Sequence, residues 1–248
     1  MNTPQSSVLY PQPAPDAGGE LRRAAAERAV TWVKDGMVLG FGTGRSAGYA
    51  LEALARRVQT EGLRIAGVPS SRATEARARA LGLPLTTLDE HPELDLTIDG
   101  ADEVDPQLNL IKGGGGALLR EKVLAAASRQ LLIVVEGRKL VPRLGTTRGV
   151  PLEILPFAAG AVAHHLVRLG GQPQLRPTDA GRPFVTDNGN WIIDCRFPPV
   201  EMETPASLED RLGPIPGLLE CGLFCDLRPV VVVGEPAGVR VLNPAASG

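Results

Sequence analysis

Residues 99–122 read DGADEVDPQLNLIKGGGGALLREK, a segment dense in groups able to move protons. Asp99, Asp102, Glu103 and Asp105 put four carboxylates into seven positions; Lys112, Gly113–Gly116 and a helix-like run carrying Glu121 follow. Carboxylates crowded in this way suit a metal cage, a solvated charged loop or a proton-handling site. The EF-hand spacing is absent, whereas a magnesium site needs only one or two carboxylates and stays open. Asp99 directly follows the apolar run LDLTI and so stands at the carboxyl end of a strand, while Asp105–Pro106–Gln107 reads as a solvated turn. We expect Asp99 and Asp102 to serve function, and Glu103 and Asp105 to serve structure.

Consecutive glycines lose much conformational freedom in an ordered segment, so Gly113–Gly116 need a reason. Without Cβ atoms, their N–H groups can converge on one point as an anion-binding nest, and a helix beginning at Ala117 would aim its positive end there. A flexible linker would instead mix serine with glycine and lack a flanking strand and helix. Glu121 lies on the second turn of that helix, where the tilt of Cβ towards the N-terminus points the side chain back over the glycines. Ala117, Leu118, Leu124 and Ala125 are its helical neighbours, and burial among them would raise its pKa towards the range of a general base. Taken alone, a glutamate paired on the surface of its own helix is the commoner state; the adjoining segment favours the base.

A second candidate is the turn GTGRS (42–46), between an apolar strand and a helix N-terminus. Its amides and the helix dipole suit a phosphate; Thr43 and Ser46 can add hydroxyl donors, and Arg45 a charge. The turn is neither the dinucleotide G-x-G-x-x-G nor a Walker loop, and its plainer reading is a tight turn with Ser46 capping the helix. Lys139, after a later strand, could bring a cation to the same edge. His164 and His165 have no Asp or Ser placed to form a triad and receive no catalytic role.

The elements that position these groups read as alternating strands and helices. Apolar strands are expected at 37–41, 63–68, 94–98 and 131–135, with helices at 20–34, up to about 58, up to 82 and at 117–128. Such alternation indicates a parallel sheet covered on both faces, with ligands at the strands' carboxyl ends. After about Gly145 the texture changes to PLEILPF (strand), AAGAVAHHLVRLG (helix), PQLRP, and RPFVTDNGNWIIDCRF with a turn at Asp187–Gly189. A helix near 205–212 and a strand near 218–224 would complete a split βαββαβ unit. PVVVVG and VRVL (229–242) would return to the first sheet. The expected division is 20–145 with 226–248 as the main domain, 146–225 as the smaller one, and 1–19 as a disordered tail.

Composition narrows the function. The 248 residues carry 26 Lys+Arg against 28 Asp+Glu, a net charge of -2, which argues against a nucleic-acid or membrane-surface binder but not against a small anion. No apolar run approaches a membrane span, and Cys195, Cys221 and Cys225 suit neither a disulfide framework nor a zinc site. The N-terminal stretch is not a secretory signal, so a cytoplasmic protein is expected.

Together these stretches resemble ribose-5-phosphate isomerase of type A. The matching segments are GFGTGRSA, GVPSS, TIDGADEVDPQLNLIKGGGGALLREK, VVEGRKLVPRLG, PLEILPFA, VTDNGNWIID and GLF, covering most of 21–242. The resemblance implies an aldose–ketose isomerase with no cofactor or metal, interconverting ribose 5-phosphate and ribulose 5-phosphate through a cis-enediolate. It also implies an α/β fold, with a Rossmann-like, mostly parallel main domain and a smaller ferredoxin-like α+β domain, in a homo-oligomer (dimer or tetramer). By position, the base falls on Glu121. Asp99 would handle hydroxyl protons and ring opening with Asp102 alongside, and Lys112 with the amides of Gly113, Gly114 and Gly115 would stabilise the enediolate oxygens. Gly100 and Ala101 fall within the substrate-binding segment. The phosphate side falls on Thr43, Gly44, Arg45, Ser46 and Lys139, with Arg22 where the family often has a lysine. The family turn usually reads Gly-Thr-Gly-Ser-Thr; here Arg45 loses a hydroxyl and adds a guanidinium able to grip phosphate bidentately.

Two other readings compete. A non-catalytic phosphosugar sensor would keep the 42–46 turn but need no base at Glu121. An acyl-CoA transferase would need a reactive glutamyl thioester and a CoA groove, which nothing in the sequence marks.

Overall fold

The computed structural model describes residues 18–199 and 201–244. Along the chain, α1 (Gly19–Ala29) leads to β1 (Val38–Phe41), α2 (Arg45–Glu61), β2 (Ala66–Pro69), α3 (Arg72–Ala80) and β3 (Leu96–Asp99). A short hairpin, β4 (Glu103–Val104) and β5 (Leu110–Ile111), precedes α4 (Leu118–Ala127) and β6 (Leu131–Glu136). Next come β7 (Val150–Ile154), α5 (Ala159–Arg168), β8 (Gln172–Leu175), β9 (Trp191–Arg196), α6 (Pro205–Leu212) and β10 (Leu218–Cys221). β11 (Leu223–Phe224), β12 (Val230–Glu235) and β13 (Gly238–Leu242) follow.

Six strands form the main sheet in the order β13-β12-β6-β3-β1-β2, parallel except for β13. β3 and β6 are buried at every position, which explains their mostly apolar sequences: α1, α2 and α3 cover one face, and α4 with the β4–β5 hairpin and Phe224 covers the other. From β1 the chain goes outward to β2, then returns to lay β3 on the opposite side of β1. That reversal opens a crevice at the carboxyl ends of β1 and β3.

The second sheet has the order β10-β7-β9-β8, antiparallel throughout, with α5 and α6 burying Val162, Leu166, Leu208 and Leu212 against it. This is the ferredoxin-like βαββαβ arrangement expected from the sequence. Its core also takes in Ile111, Val141 and Leu144 from the earlier part of the chain.

Several local details differ from expectation. α1 ends at Ala29 and is followed by one tighter turn, Val30–Trp32. β2 starts at Ala66 rather than at 63. The strand expected near 218–224 splits at Gly222, with β10 joining the smaller sheet and β11 pairing with β5 in a third, three-stranded sheet. Gly222 donates to the Pro151 carbonyl at 2.7 Å and accepts from the Lys112 amide at 2.9 Å, so its backbone serves both sheets at once. A Cβ there would lie 2.3 Å from the Lys112 carbonyl. The expected tail falls outside the described residues as far as residue 17; Gly19 already belongs to α1.

Candidate active site

A cleft of about 350 Å³ opens at the carboxyl ends of β1 and β3. Every residue assigned from the sequence lines it except Asp99, which sits behind its wall. Asp99, Lys112 and Glu121 are 1%, 3% and 5% exposed, a group of charges withdrawn almost wholly from water.

Asp99 ends β3, beside the first residue after β1. Its Oδ1 accepts from the Gly100 amide at 2.7 Å and the Thr43 amide at 3.2 Å; its Oδ2 lies 3.0 Å from Lys112 Nζ. Gly42 makes room for this carboxylate, because a Cβ there would stand 2.2 Å from Asp99 Oδ1. Lys112 Nζ also donates to the Gly100 carbonyl at 2.5 Å and lies 3.4 Å from Glu121 Oε2. Glu121 comes from α4, whose first turns aim it back over the glycine run as the Cβ tilt requires.

The electrostatics follow from burial. Burial and the nearby Asp99 charge push the Glu121 carboxyl up to about 8, against the opposing pull of Lys112. Burial likewise raises Asp99, again opposed by Lys112. Burial alone would lower Lys112, but Asp99 and Glu121 outweigh it and hold the ammonium above its ordinary value. Two carboxylates thus share one lysine, an arrangement that favours one bound proton at the site.

Asp102 stands nearer the mouth, where its Oδ2 accepts from the Gly114 amide at 2.7 Å and its Oδ1 lies 3.1 Å from Arg148 Nη1. Glu103 and Asp105 are structural, as expected. Fully buried Glu103 accepts from the amides of Gly145, Thr147 and Arg148, and so staples the loop that presents Arg148. Asp105 accepts from the Gln107 and Asn109 amides within the β4–β5 hairpin; it is buried rather than solvated.

The 42–46 turn meets α2 at the other side of the cleft. The Thr43 hydroxyl is engaged with Ser70, Ser71 and Thr74 at 2.6, 2.9 and 3.2 Å, so it braces the turn instead of offering a donor to the cleft. Gly44, Arg45 and Ser46 remain at the helix N-terminus, facing the cleft. Lys139 is half-buried, its pKa lowered by burial and by Arg148 and Arg138. Arg22 lines the cleft too, but it is buried and pairs with Glu136 at 2.7 Å. Arg148 is the cleft residue that sequence reasoning missed: it lies outside every motif, and only the Glu103 staple brings it in.

Among the described residues, Glu209, Glu220 and Cys221 form the one cluster with metal-ligand proximity. Lys122 Nζ lies 2.5 and 2.8 Å from the two carboxylates, so an ammonium already occupies the place of a cation. This lysine ties α4 to the smaller unit, and Phe224 lies against both Lys122 and Lys112, at 4.9 and 5.5 Å.

Residues 66–238 match the family model described as ribose 5-phosphate isomerase A (phosphoriboisomerase A). The chain is 49% identical over 228 residues to ribose-5-phosphate isomerase A of Gloeobacter violaceus, covering 92% of this chain and 97% of the relative. Identity to the protein of that name from Roseiflexus castenholzii is 46% over 228 residues, with 91% and 97% covered. Among solved structures, ribose 5-phosphate isomerase A from Methanocaldococcus jannaschii superposes with a TM-score of 0.87 at 37% identity, covering 92% of this chain and all of that one. A D-ribose-5-phosphate isomerase in complex with phospho-erythronic acid also gives 0.87, at 36% identity, with 90% and 98% covered.

Proposed function

The chain belongs to the ribose 5-phosphate isomerase A family, and from that premise we propose how its cleft carries out the interconversion of D-ribose 5-phosphate and D-ribulose 5-phosphate. Isomerisation between C1 and C2 requires a base that reaches both carbons, a positive environment for a transient oxyanion and a grip on the remote phosphate. Glu121 takes the proton from C2 of the open-chain aldose, leaving a cis-enediolate, and returns it to C1. Lys112 and the amides of Gly113 and Gly115 hold the negative oxygens, whereas the Gly114 amide, expected to join them, is spent on Asp102 Oδ2. Asp99 and Asp102 move the hydroxyl protons, and Asp99 also assists ring opening. The phosphate rests on the amides of Gly44, Arg45 and Ser46 at the start of α2, with Lys139 opposite and Arg22 behind it.

The observation that carries this reading is Lys112 lodged between buried Asp99 and Glu121 on the cleft floor. A sensor that only bound a phosphosugar would have no use for a buried carboxylate whose pKa is pushed up to about 8. The complex of a related isomerase with phospho-erythronic acid supports a phosphorylated sugar acid as a probe of the same cleft. The test is conversion of ribose 5-phosphate with excess EDTA present, wild type beside Glu121→Gln. Turnover by wild type alone supports a metal-independent isomerase with Glu121 as base. No turnover by either protein, with phosphosugar still bound, would return the reading to a sensor.

We further place the enzyme in the non-oxidative pentose phosphate pathway, in the cytoplasm, as a homo-oligomer and most simply a homodimer. No helix among the described residues is long and apolar enough to cross a membrane. Supporting self-assembly are Phe157, 96% exposed, and the exposed Leu155 and Leu219 beside β7 and on β10. We take 20–145 with 226–248 as the catalytic unit and 146–225 as the smaller one.

A further inference from the structure

Arg176, just after β8 of the smaller unit, reaches across to the glycine run of the cleft. Its Nε and Nη2 donate to Asp194 Oδ2 and Oδ1 at 2.8 and 2.5 Å, a bidentate pair that fixes the plane of the guanidinium. Its Nη1 then donates to the carbonyls of Gly113 at 2.9 Å and Gly114 at 3.3 Å. The guanidinium also lies 5.8 Å over the ring of Phe184, and that ring packs against Gly116, where a Cβ would come within 2.5 Å of it.

A trans peptide points its C=O and N–H in opposite directions, so holding one aims the other. The Gly113–Gly114 peptide is held at both ends, its carbonyl by Arg176 and by the Gly116 amide at 3.0 Å, and its N–H by Asp102 Oδ2. The Gly114–Gly115 peptide is held by its carbonyl alone, which leaves the Gly115 N–H directed away from Arg176, on the side where Gly115 lines the cleft. Glycine backbone offers little resistance to rotating such a peptide, so its direction must be imposed from outside.

We propose that Arg176 is a positioning residue that, clamped by Asp194, holds the Gly114 carbonyl out of the cleft and thereby aims the Gly115 amide at the developing enediolate. The role rests on the isomerase reading above, in which this nest stabilises the oxyanion. An amide that stabilises charge formed only in the transition state contributes to kcat rather than to ground-state binding. The phosphate grip lies on other elements and is left untouched.

The experiment compares wild type, Glu121→Gln, Arg176→Ala and Asp194→Asn in steady-state conversion of ribose 5-phosphate, with thermal melting and inhibition by phospho-erythronic acid. For Arg176→Ala we expect kcat to fall by about 10- to 100-fold, less than the loss of a whole oxyanion-hole donor, with KM within about threefold. Inhibition by the sugar acid should weaken in step with kcat, and added ethylguanidine should restore part of the lost rate. Asp194→Asn should shift the same quantities by a smaller factor, and it is the variant read if Arg176→Ala does not fold. A kcat within twofold of wild type, or a rise in KM without a loss of kcat, overturns the proposal. So does a kcat loss that follows a lowered melting temperature and that ethylguanidine does not rescue. No turnover by wild type would overturn the isomerase reading instead, and full turnover in Glu121→Gln would remove only the base role from Glu121, so the failures are told apart.

Discussion

Lys112 Nζ stands 3.4 Å from Glu121 Oε2, and both side chains are buried at the floor of the cleft. The lysine belongs to the loop after β5 and the glutamate to α4, so their meeting is fixed by how the glycine run turns between them. Lys112 limits how far burial can raise Glu121, and Glu121 helps to hold Lys112 charged. The buried carboxyl and the ammonium beside it are therefore tuned as one unit.

Replacing Glu121 by Gln keeps size and shape while removing the proposed base. Turnover should fall by about 10³-fold or more, near the upper part of the range for general base catalysis, while the fold persists. A coupled assay for ribulose 5-phosphate and a thermal melt check both halves; a variant that kept its rate would remove Glu121 from this role.

The raised Glu121 pKa predicts two opposite pH trends. The base must be ionised to act, so kcat/KM should rise with pH towards a plateau above about 8. Stability runs the other way. The native state holds a proton that the unfolded chain releases near the ordinary glutamate value of 4.5, so this contribution is full below that value and is lost as pH rises through about 8. Melting curves of wild type and Glu121→Gln should therefore diverge from pH 5 to 9, with wild type losing ground. Parallel curves would contradict the assignment.

Lys139 faces the cleft half-buried and without an ion pair among the described residues. Lys139→Met should raise KM for ribose 5-phosphate by roughly 10- to 100-fold, the worth of a charge-assisted hydrogen bond, with a much smaller change in kcat. Comparing kcat and KM at low and moderate salt checks this, since the wild-type KM should climb with salt more steeply than that of the variant.

Arg148 pairs with Asp102 at a site 43% exposed, so its own contribution is modest. Arg148→Gln should alter KM by only about two- to fivefold, because a half-exposed pair is largely screened. A kcat loss above tenfold would mark Arg148 as a direct participant in the chemistry.

Gly42 is a steric requirement of the site. Gly42→Ala would drive a methyl into Asp99, whose Cα lies 2.6 Å from the added carbon, so backbone as well as side chain must shift. We expect a stability loss of about 1–3 kcal/mol and a drop in kcat exceeding any rise in KM, measured by denaturant unfolding and steady-state kinetics.

The sequence displays Asp99, Lys112 and Glu121 well because all three lie within one short segment, where strand-end position and helical geometry govern their direction. The alternation of strands and helices gives both sheets for the same reason, as local periodicity carries it. Arg148, Arg176 and Asp194 stay hidden because a guanidinium reaches a site through tertiary packing that no spacing encodes. Glu103 could be read only as structural; what it holds depends on a loop more than forty residues away. The Thr43 hydroxyl turned from the cleft for a similar cause, since its partners Ser70, Ser71 and Thr74 arrive with the next strand and helix.

Gly222 gives its carbonyl to Lys112 and its amide to Pro151, so one residue knots the cleft-floor lysine to the first strand of the smaller sheet. The enzyme is thus not modular in the way its two sheets suggest. Trimming it to the parallel sheet would remove the anchor of Lys112, and grafting a foreign smaller unit would have to reproduce that single peptide before the lysine found its place.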